Sequence, residues 1–191
     1  MRSHFFRLVP FAIPGVPIGT IPASLEIEIT GTVALEAGAL NVIYCISGAT
    51  ERVKYARAGT QPSRKNELWR TTCFELFMKV PAGSEYWEVN LAPSRDWNMY
   101  HFTGYRSALQ QELLVTDINI AAEVAQSRLV SLRATLPLPL SVVGQKLALG
   151  ISSVIEDHDG NLHYFALRHC GIKPDFHDPA GFDITLDPSS V

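Results

Sequence analysis

The chain has 191 residues, of which 47% are hydrophobic and 18% charged, which is ample material for a packed core and unlike a disordered chain. Its net charge of −3 comes from 16 basic and 19 acidic residues spread along the sequence, so no basic run exists to neutralise phosphates and nucleic acid is excluded as an expected partner. Cys45, Cys73 and Cys170 show no C-x-x-C spacing, and no stretch reaches about 18 apolar residues, so neither a disulfide framework, a thiolate metal site nor a membrane span is signalled.

The opening 24 residues superficially resemble a secretory leader, but Arg7 interrupts the apolar run and Pro10, Pro14, Pro17 and Pro22 would break the helix such a leader needs. The expectation is a cytoplasmic chain in which residues 1–191 form one domain. Alternation with period two then begins. Leu25, Ile27 and Ile29 oppose Glu26, Glu28 and Thr30; Leu40, Val42, Tyr44 and Ile46 oppose Asn41, Ile43, Cys45 and Ser47. Thr30-Gly31 and Glu36-Ala37-Gly38 read as the turns between these strands. Residues 48–67 lose the pattern and read as a long surface loop with one short strand near Val53 to Ala56. Arg52, Lys54, Arg57, Arg64 and Lys65 in it make either a solvated charged loop or an anion site.

Two strands follow, Trp69 to Val80 and Glu85 to Leu91, joined at Pro81-Ala82-Gly83-Ser84. Phe74, Leu76 and Met78 fall on one side and Cys73, Glu75 and Phe77 on the other; Trp87, Val89 and Leu91 oppose Tyr86, Glu88 and Asn90. A tight hairpin puts Glu75, Glu88 and Asn90 on one polar face. Trp97 to Phe102 is a further strand. Residues 107–114 suggest a short helical turn, and Leu113 to Asn119 and Ala121 to Ala125 suggest strand. Leu129 to Leu136, Leu147 to Glu156 and Leu162 to His169 complete the set, the last two joined by the turn Asp157-His158-Asp159-Gly160-Asn161. About nine to eleven short strands without an amphipathic helix predict an all-β, antiparallel two-sheet β-sandwich of jelly-roll type.

Candidate ligand contacts concentrate around this polar face. Sugar recognition needs flat aromatic surfaces for the apolar side of the ring and carboxylates, amides or guanidinium groups for its hydroxyls. Trp69, Trp97 and Tyr100 supply the first; Glu75, Glu88, Asn90, Arg95, Arg106 and Arg133 supply the second, with Arg133 the candidate cation between the two carboxylates. His169, Asp175 and His177, from a proline-bearing loop, are expected to close over the face. A buried Glu–Arg network without a ligand reads the same, and the paired carboxylates also suit a glycoside hydrolase. His163, His169, Asp175 and His177 raise a metal site, but their spacing matches no compact ligand motif, so no metal or cofactor is expected.

The segments FRLVPF, LWRTTCFELF, YWEVNLAPSRDWNMYHFTGYR and HYFALRHCGIKPDFHD, followed by GF, make the chain resemble the DOMON-like bacterial proteins grouped with the family 9 carbohydrate-binding modules. That resemblance implies a β-sandwich that binds sugar or haem. Family 9 modules hold a sugar between two tryptophans, a part Trp69 and Trp97 would take here. Haem-binding DOMON domains use a Met and a His as axial ligands, which points to Met78, Met99 and His101. The resulting expectation is a non-catalytic module for a carbohydrate or other small polar ligand, with a carbohydrate-active enzyme using Glu75 and Glu88 as the alternative and a haem or metal protein as the third reading.

Overall fold

A computed structural model describes residues 3–12, 25–36, 38–57, 59, 61–126 and 128–188. Among these residues thirteen strands form one continuous sheet: β1 His4–Pro10, β2 Ile27–Glu36, β3 Ala39–Gly48, β4 Val53–Lys54, β5 Cys73–Lys79, β6 Tyr86–Leu91, β7 Trp97–Phe102, β8 Gln110–Gln111, β9 Asn119–Ala125, β10 Arg128–Pro137, β11 Leu147–Asp157, β12 Leu162–Ala166 and β13 Ile184–Leu186. Their order is β8-β7-β6-β5-β11-β12-β1-β2-β3-β10-β9, with β4 and β13 also pairing β11. Every pairing between these strands is antiparallel. Among the described residues the only helical turns are short 3-10 segments.

The sheet curls until its two halves face each other. Tyr44 on β3 lies 4.9 Å from Phe74 on β5, ring centre to ring centre, and its hydroxyl donates to the Glu75 carbonyl at 2.9 Å. The apolar halves of the alternating strands fill the space between: Ile29, Val42, Leu132, Leu76, Val89 and Ile151 all belong to one buried cluster. Burying each such side chain contributes roughly 1.5–3 kcal/mol. β1 joins the halves, since Val9 and Pro10 pair with β12 while His4 to Leu8 pair with β2.

Several sequence expectations shift. Thr30-Gly31 is the interior of β2, because a Cβ on Gly31 would lie 1.9 Å from the Ile43 carbonyl oxygen and 2.4 Å from the Phe6 ring. The strand expected from Trp69 starts at Cys73; Leu68–Arg70 is a 3-10 turn entered through Glu67 at φ 58°. Residues 107–114 contain the two-residue β8 instead of a helical turn. The turn at 157–161 forms as expected, with Asp157 Oδ1 accepting from the backbone of Asp159 and Asn161 and Gly160 at φ 85°. Pro14, Pro17 and Pro22 lie outside the described residues, whereas Pro10 ends β1. Of the basic residues of the 48–67 loop, Lys54 pairs with Glu156, Lys65 with Asp96, and Arg64 stacks on Trp97, so these three do not converge on an anion.

Candidate functional site

The site lies on the face of β5, β6, β7, β11 and β12 that points away from the main core. Glu75 stands between Asn90 on β6 and Ser152 on β11, Glu88 opposite Tyr100, and Val154 opposite Tyr164. Period-two alternation therefore brings Glu75, Glu88, Phe102, Val154, Leu162 and Tyr164 to one side. Three loops build walls on it: the Leu68–Arg70 turn, the loop bearing Arg106 and Leu109, and the segment after β12 with Pro174, Phe176 and His177. Together they enclose a cleft of about 520 Å³. A second apolar cluster, Phe77, Tyr86, Tyr100 and Phe102, anchors the walls through Trp69, Phe176 and Phe182. Gly150 admits this cover, since a Cβ there would sit 2.7 Å from the Phe182 ring.

The polar groups form one connected system around two carboxylates. Glu88 Oε1 accepts from Asn90 Nδ2 at 2.7 Å, and Glu88 Oε2 lies 3.7 Å from His177 Nε2. The Tyr86 hydroxyl accepts from the Arg106 backbone N–H at 3.0 Å, which leaves its own proton for His177 Nδ1 at 2.8 Å. This order of donors puts the proton of a neutral His177 on Nε2, facing Glu88. Arg106 Nη2 donates to Asp175 Oδ1 at 2.9 Å, and Tyr105 donates its hydroxyl to the other Asp175 oxygen. On Glu75, Ser152 Oγ donates to Oε2 at 3.3 Å, while Oε1 is buried with no hydrogen-bond partner among the described residues.

Charge is costly here. Burial, and then the neighbouring Glu88, push the Glu75 carboxyl well above its usual range, with the Ser152 hydrogen bond working against them. Burial likewise pushes Glu88 up to about 7, although Asn90 and Arg106 favour its ionised form. Burial and the adjacent Arg106 bring His177 down to about 4, which keeps the imidazole neutral at pH 7. Asp175 is held below its ordinary value by Tyr105 and Arg106, which overcome its partial burial. Backbone strain also gathers at the rim: Glu67, Arg106 and Ala108 take positive φ values of 58°, 50° and 52°, at a cost of roughly 1 kcal/mol or more each.

Of the residues expected to bind ligand, Trp69, Glu75, Glu88, Arg106 and His177 line the cleft. Asn90, Tyr100 and Asp175 stand behind them: Asn90 holds Glu88, Tyr100 packs against Trp69 at 5.7 Å, and Asp175 holds Arg106. Four lie elsewhere. Trp97 is in the main core beneath Arg64, so Trp69 and Trp97 do not face one another across a ligand. The parity of β7 decides this, since Trp97 shares a side with Met99 and Asn98 takes the cleft side. Arg133 is on β10, in the other half of the sheet, pairing with Glu123 at 3.9 Å; it cannot be the cation between Glu75 and Glu88. Arg95 occupies the β6–β7 turn at φ 71° and donates to the Gly59 carbonyl. His169 binds the Val9 carbonyl and packs on Phe11. Met78 and Met99 are fully buried in the main core, on the side away from the cleft, so neither is placed to form a Met–His axial pair there. No cluster of three His, Cys, Asp or Glu side chains placed to hold a metal occurs among the described residues.

No protein-family model matches the sequence, and no curated protein matches it either. The fold, by contrast, has solved relatives. A candidate carbohydrate-binding protein from Bacteroides uniformis superposes over 93% of this chain and 83% of its own, with a TM-score of 0.67 at 13% identity. A family 9 carbohydrate-binding module from Caldicellulosiruptor kristjanssonii, solved with glucose, matches over 76% of this chain and 69% of its own, with a TM-score of 0.45 at 11% identity. Its complex with cellotriose gives 0.46, at 11% identity over 76% and 68%. The first of these likenesses is one of fold: a large, curled, antiparallel all-β sheet.

Sequence reasoning missed Tyr164, Phe176, Arg70 and Leu109 in the cleft wall. Tyr164 was within reach, because it shares the parity of Leu162 on a strand whose other side holds Phe165. Phe176 was not, because a loop position carries no periodicity from which to read its direction.

Proposed function

We propose that the cleft binds a small polyhydroxylated ligand, with a saccharide unit as the best fit, and holds it without chemical turnover. The observation that carries this reading is Glu75 Oε1: a carboxyl oxygen inside the cleft wall, on a residue only 3% exposed, with no donor among the described residues. A buried acceptor left unpaired costs roughly 1–3 kcal/mol, which a ligand hydroxyl or amine would recover on binding. Trp69, Tyr164 and Phe176 add flat apolar surface beside it, as the C–H face of a sugar ring requires. Arg106 and Glu88, each already oriented by a partner, supply further polar contacts at little ordering cost. The reading takes the curled sheet as a jelly-roll sandwich and residues 1–191 as one binding domain. It agrees with the resemblance to DOMON-like proteins and family 9 modules, and with the sugar-binding description of the Bacteroides uniformis relative.

Glycan-array screening followed by isothermal titration tests it. Expected is at least one saccharide with a dissociation constant at or below about 1 mM; an array and titrations without any binder would overturn the reading. Glu88, held near neutrality beside a second carboxyl, supports one alternative, in which the pair performs acid–base hydrolysis of a glycosidic bond. Turnover of a chromogenic glycoside panel, abolished in Glu88→Gln, would establish that alternative instead.

A further inference from the structure

Among the described residues the cleft holds two buried carboxylates, and each arginine lining it is already paired with another carboxylate. β5 and β6 set Glu88 diagonally across from Glu75, on the same face. Each arginine at the cleft has its own carboxylate: Arg106 faces Asp175 at 2.9 Å, and Arg70 faces Glu67 at 2.9 Å. His177, whose Nε2 lies 3.7 Å from Glu88 Oε2, is engaged by Tyr86 through Nδ1 and stays neutral. Asn90, Ser152, Cys73 and Tyr100, which also adjoin the pair, carry no positive charge. Neighbouring carboxylates taken out of water need a cation or a shared proton between them. A neutral sugar hydroxyl would satisfy Glu75 Oε1 and leave the charge unanswered. A protonated amine satisfies both, with three N–H donors and a positive charge. The aromatic wall of Trp69, Tyr164 and Phe176 attracts cations as well as C–H faces.

We infer that the saccharide accepted by the cleft is an amino sugar, whose free protonated amine lies between Glu75 and Glu88; this rests on the binding reading above. In the ligand-free protein a retained proton relieves the carboxylate pair, and the ammonium takes its place. The displaced proton leaves to solvent, so binding near pH 6.5 releases protons. Arg106 and His177, which line the cleft beside the pair, and Asp175 behind Arg106 keep their charge states, and Tyr86 keeps its proton.

The test is calorimetric titration of the full chain at pH 6.5 with the β-1,4-linked glucosamine disaccharide, its N-acetylated form and cellobiose, in two buffers of different ionisation enthalpy. Expected are binding of the free amine at least about tenfold tighter than of either neutral disaccharide, and a buffer-dependent enthalpy that reports proton release. Equal or tighter binding of cellobiose would overturn the inference and leave the saccharide reading standing. Absence of binding across these three sugars and the glycan array would overturn both. Glu88→Gln should bring the amine-to-neutral ratio close to one, and retention of the full preference counts against the inference. Should that variant fail to fold, the wild-type ratio and proton count still decide.

Discussion

Two polar faces of the same sheet carry similar sequence patterns and meet different fates. On β3, β9 and β10 the outward positions hold Asn41, Glu123, Arg133 and Thr135. Arg133 and Glu123 stand 3.9 Å apart with side chains 61% and 60% exposed, and Thr135 bonds Asn41 at the surface. On β5 and β6 the equivalent positions hold Glu75, Glu88 and Asn90, which are buried at 3%, 5% and 0% exposure. The difference is the cover. The Leu68–Arg70 turn and the segment after β12 wall the second face, whereas Arg133 and Glu123 on the first stay exposed. Water screens the outer pair to near irrelevance, whereas the covered carboxylates keep their full electrostatic cost. A polar residue on a strand thus becomes a site only when other chain elements remove its water.

The contrast should appear most strongly in the pH dependence of stability. Glu88 has a folded-state pKa raised from 4.5 to about 7, so its relative stabilisation is complete below pH 4.5 and is lost as pH rises through 7. A displacement of that size corresponds to roughly 3 kcal/mol. His177 has its value lowered from 6.5 to about 4, so its contribution is complete above pH 6.5 and is lost as pH falls through 4. Between pH 4.5 and 6.5 the two oppose each other, and above 6.5 only the carboxylate loss remains. Urea unfolding across pH 4–9 should therefore show stability falling above about pH 6.5. Glu88→Gln should shrink that fall to the part that Glu75 contributes and expose the His177 rise below it. A wild-type profile that climbs from pH 6.5 to 8 would remove the electrostatic basis of the comparison.

Next in size is Glu75→Gln. The amide keeps the shape and loses the charge, so at pH 8 the variant should gain on the order of 1–3 kcal/mol of stability. Near pH 4 the gain should vanish, because both states then carry a protonated carboxyl. The same variant should bind saccharide at least about tenfold more weakly, a trade of function against stability expected where a site stores unfavourable burial. Chemical denaturation paired with calorimetry measures both. Loss of stability with unchanged binding would make Glu75 a structural residue and return the two faces to the same category.

How much of this was legible in the sequence follows from which residues obey local periodicity. Alternation along Cys73–Lys79 and Tyr86–Leu91 correctly separated Glu75, Glu88 and Asn90 from Phe74, Leu76 and Trp87, because side-chain direction on a strand is a local property. Arg133 also alternates as expected, yet it belongs to the far half of the sheet, and strand order is a non-local outcome that periodicity does not encode. Trp97 misled for a different reason: an aromatic ring suited to a sugar suits the core as well, and its parity with Met99 commits it to the core. Gly31 misled in the same way, since a turn-forming residue was needed inside β2 to let Phe6 approach.

Trp69 is the smaller test on the covered face. It packs edge-on against Tyr100 at 5.7 Å and is anchored by the second apolar cluster, so it is a wall and carries no part of the charge network. Trp69→Ala should weaken saccharide binding by about 1 kcal/mol, or several-fold, with little change in the pH profile. A loss as deep as that of Glu75→Gln would move the centre of recognition from the carboxylates to the aromatic wall.

The smallest effect belongs to the outer face, and its smallness is the point. Arg133 reaches Glu123 only at 3.9 Å, in water, on strands whose neighbours Thr135 and Asn41 already satisfy one another. Holding two long side chains in register costs about as much entropy as the screened attraction returns. A double-mutant cycle on Arg133→Ala and Glu123→Ala should therefore give a coupling below about 0.5 kcal/mol, and Arg133→Ala should leave sugar affinity within about twofold. If Arg133→Ala instead reduced affinity as Glu75→Gln does, ligand would have to reach β10, and burial would no longer separate the face that binds from the face that only stays wet.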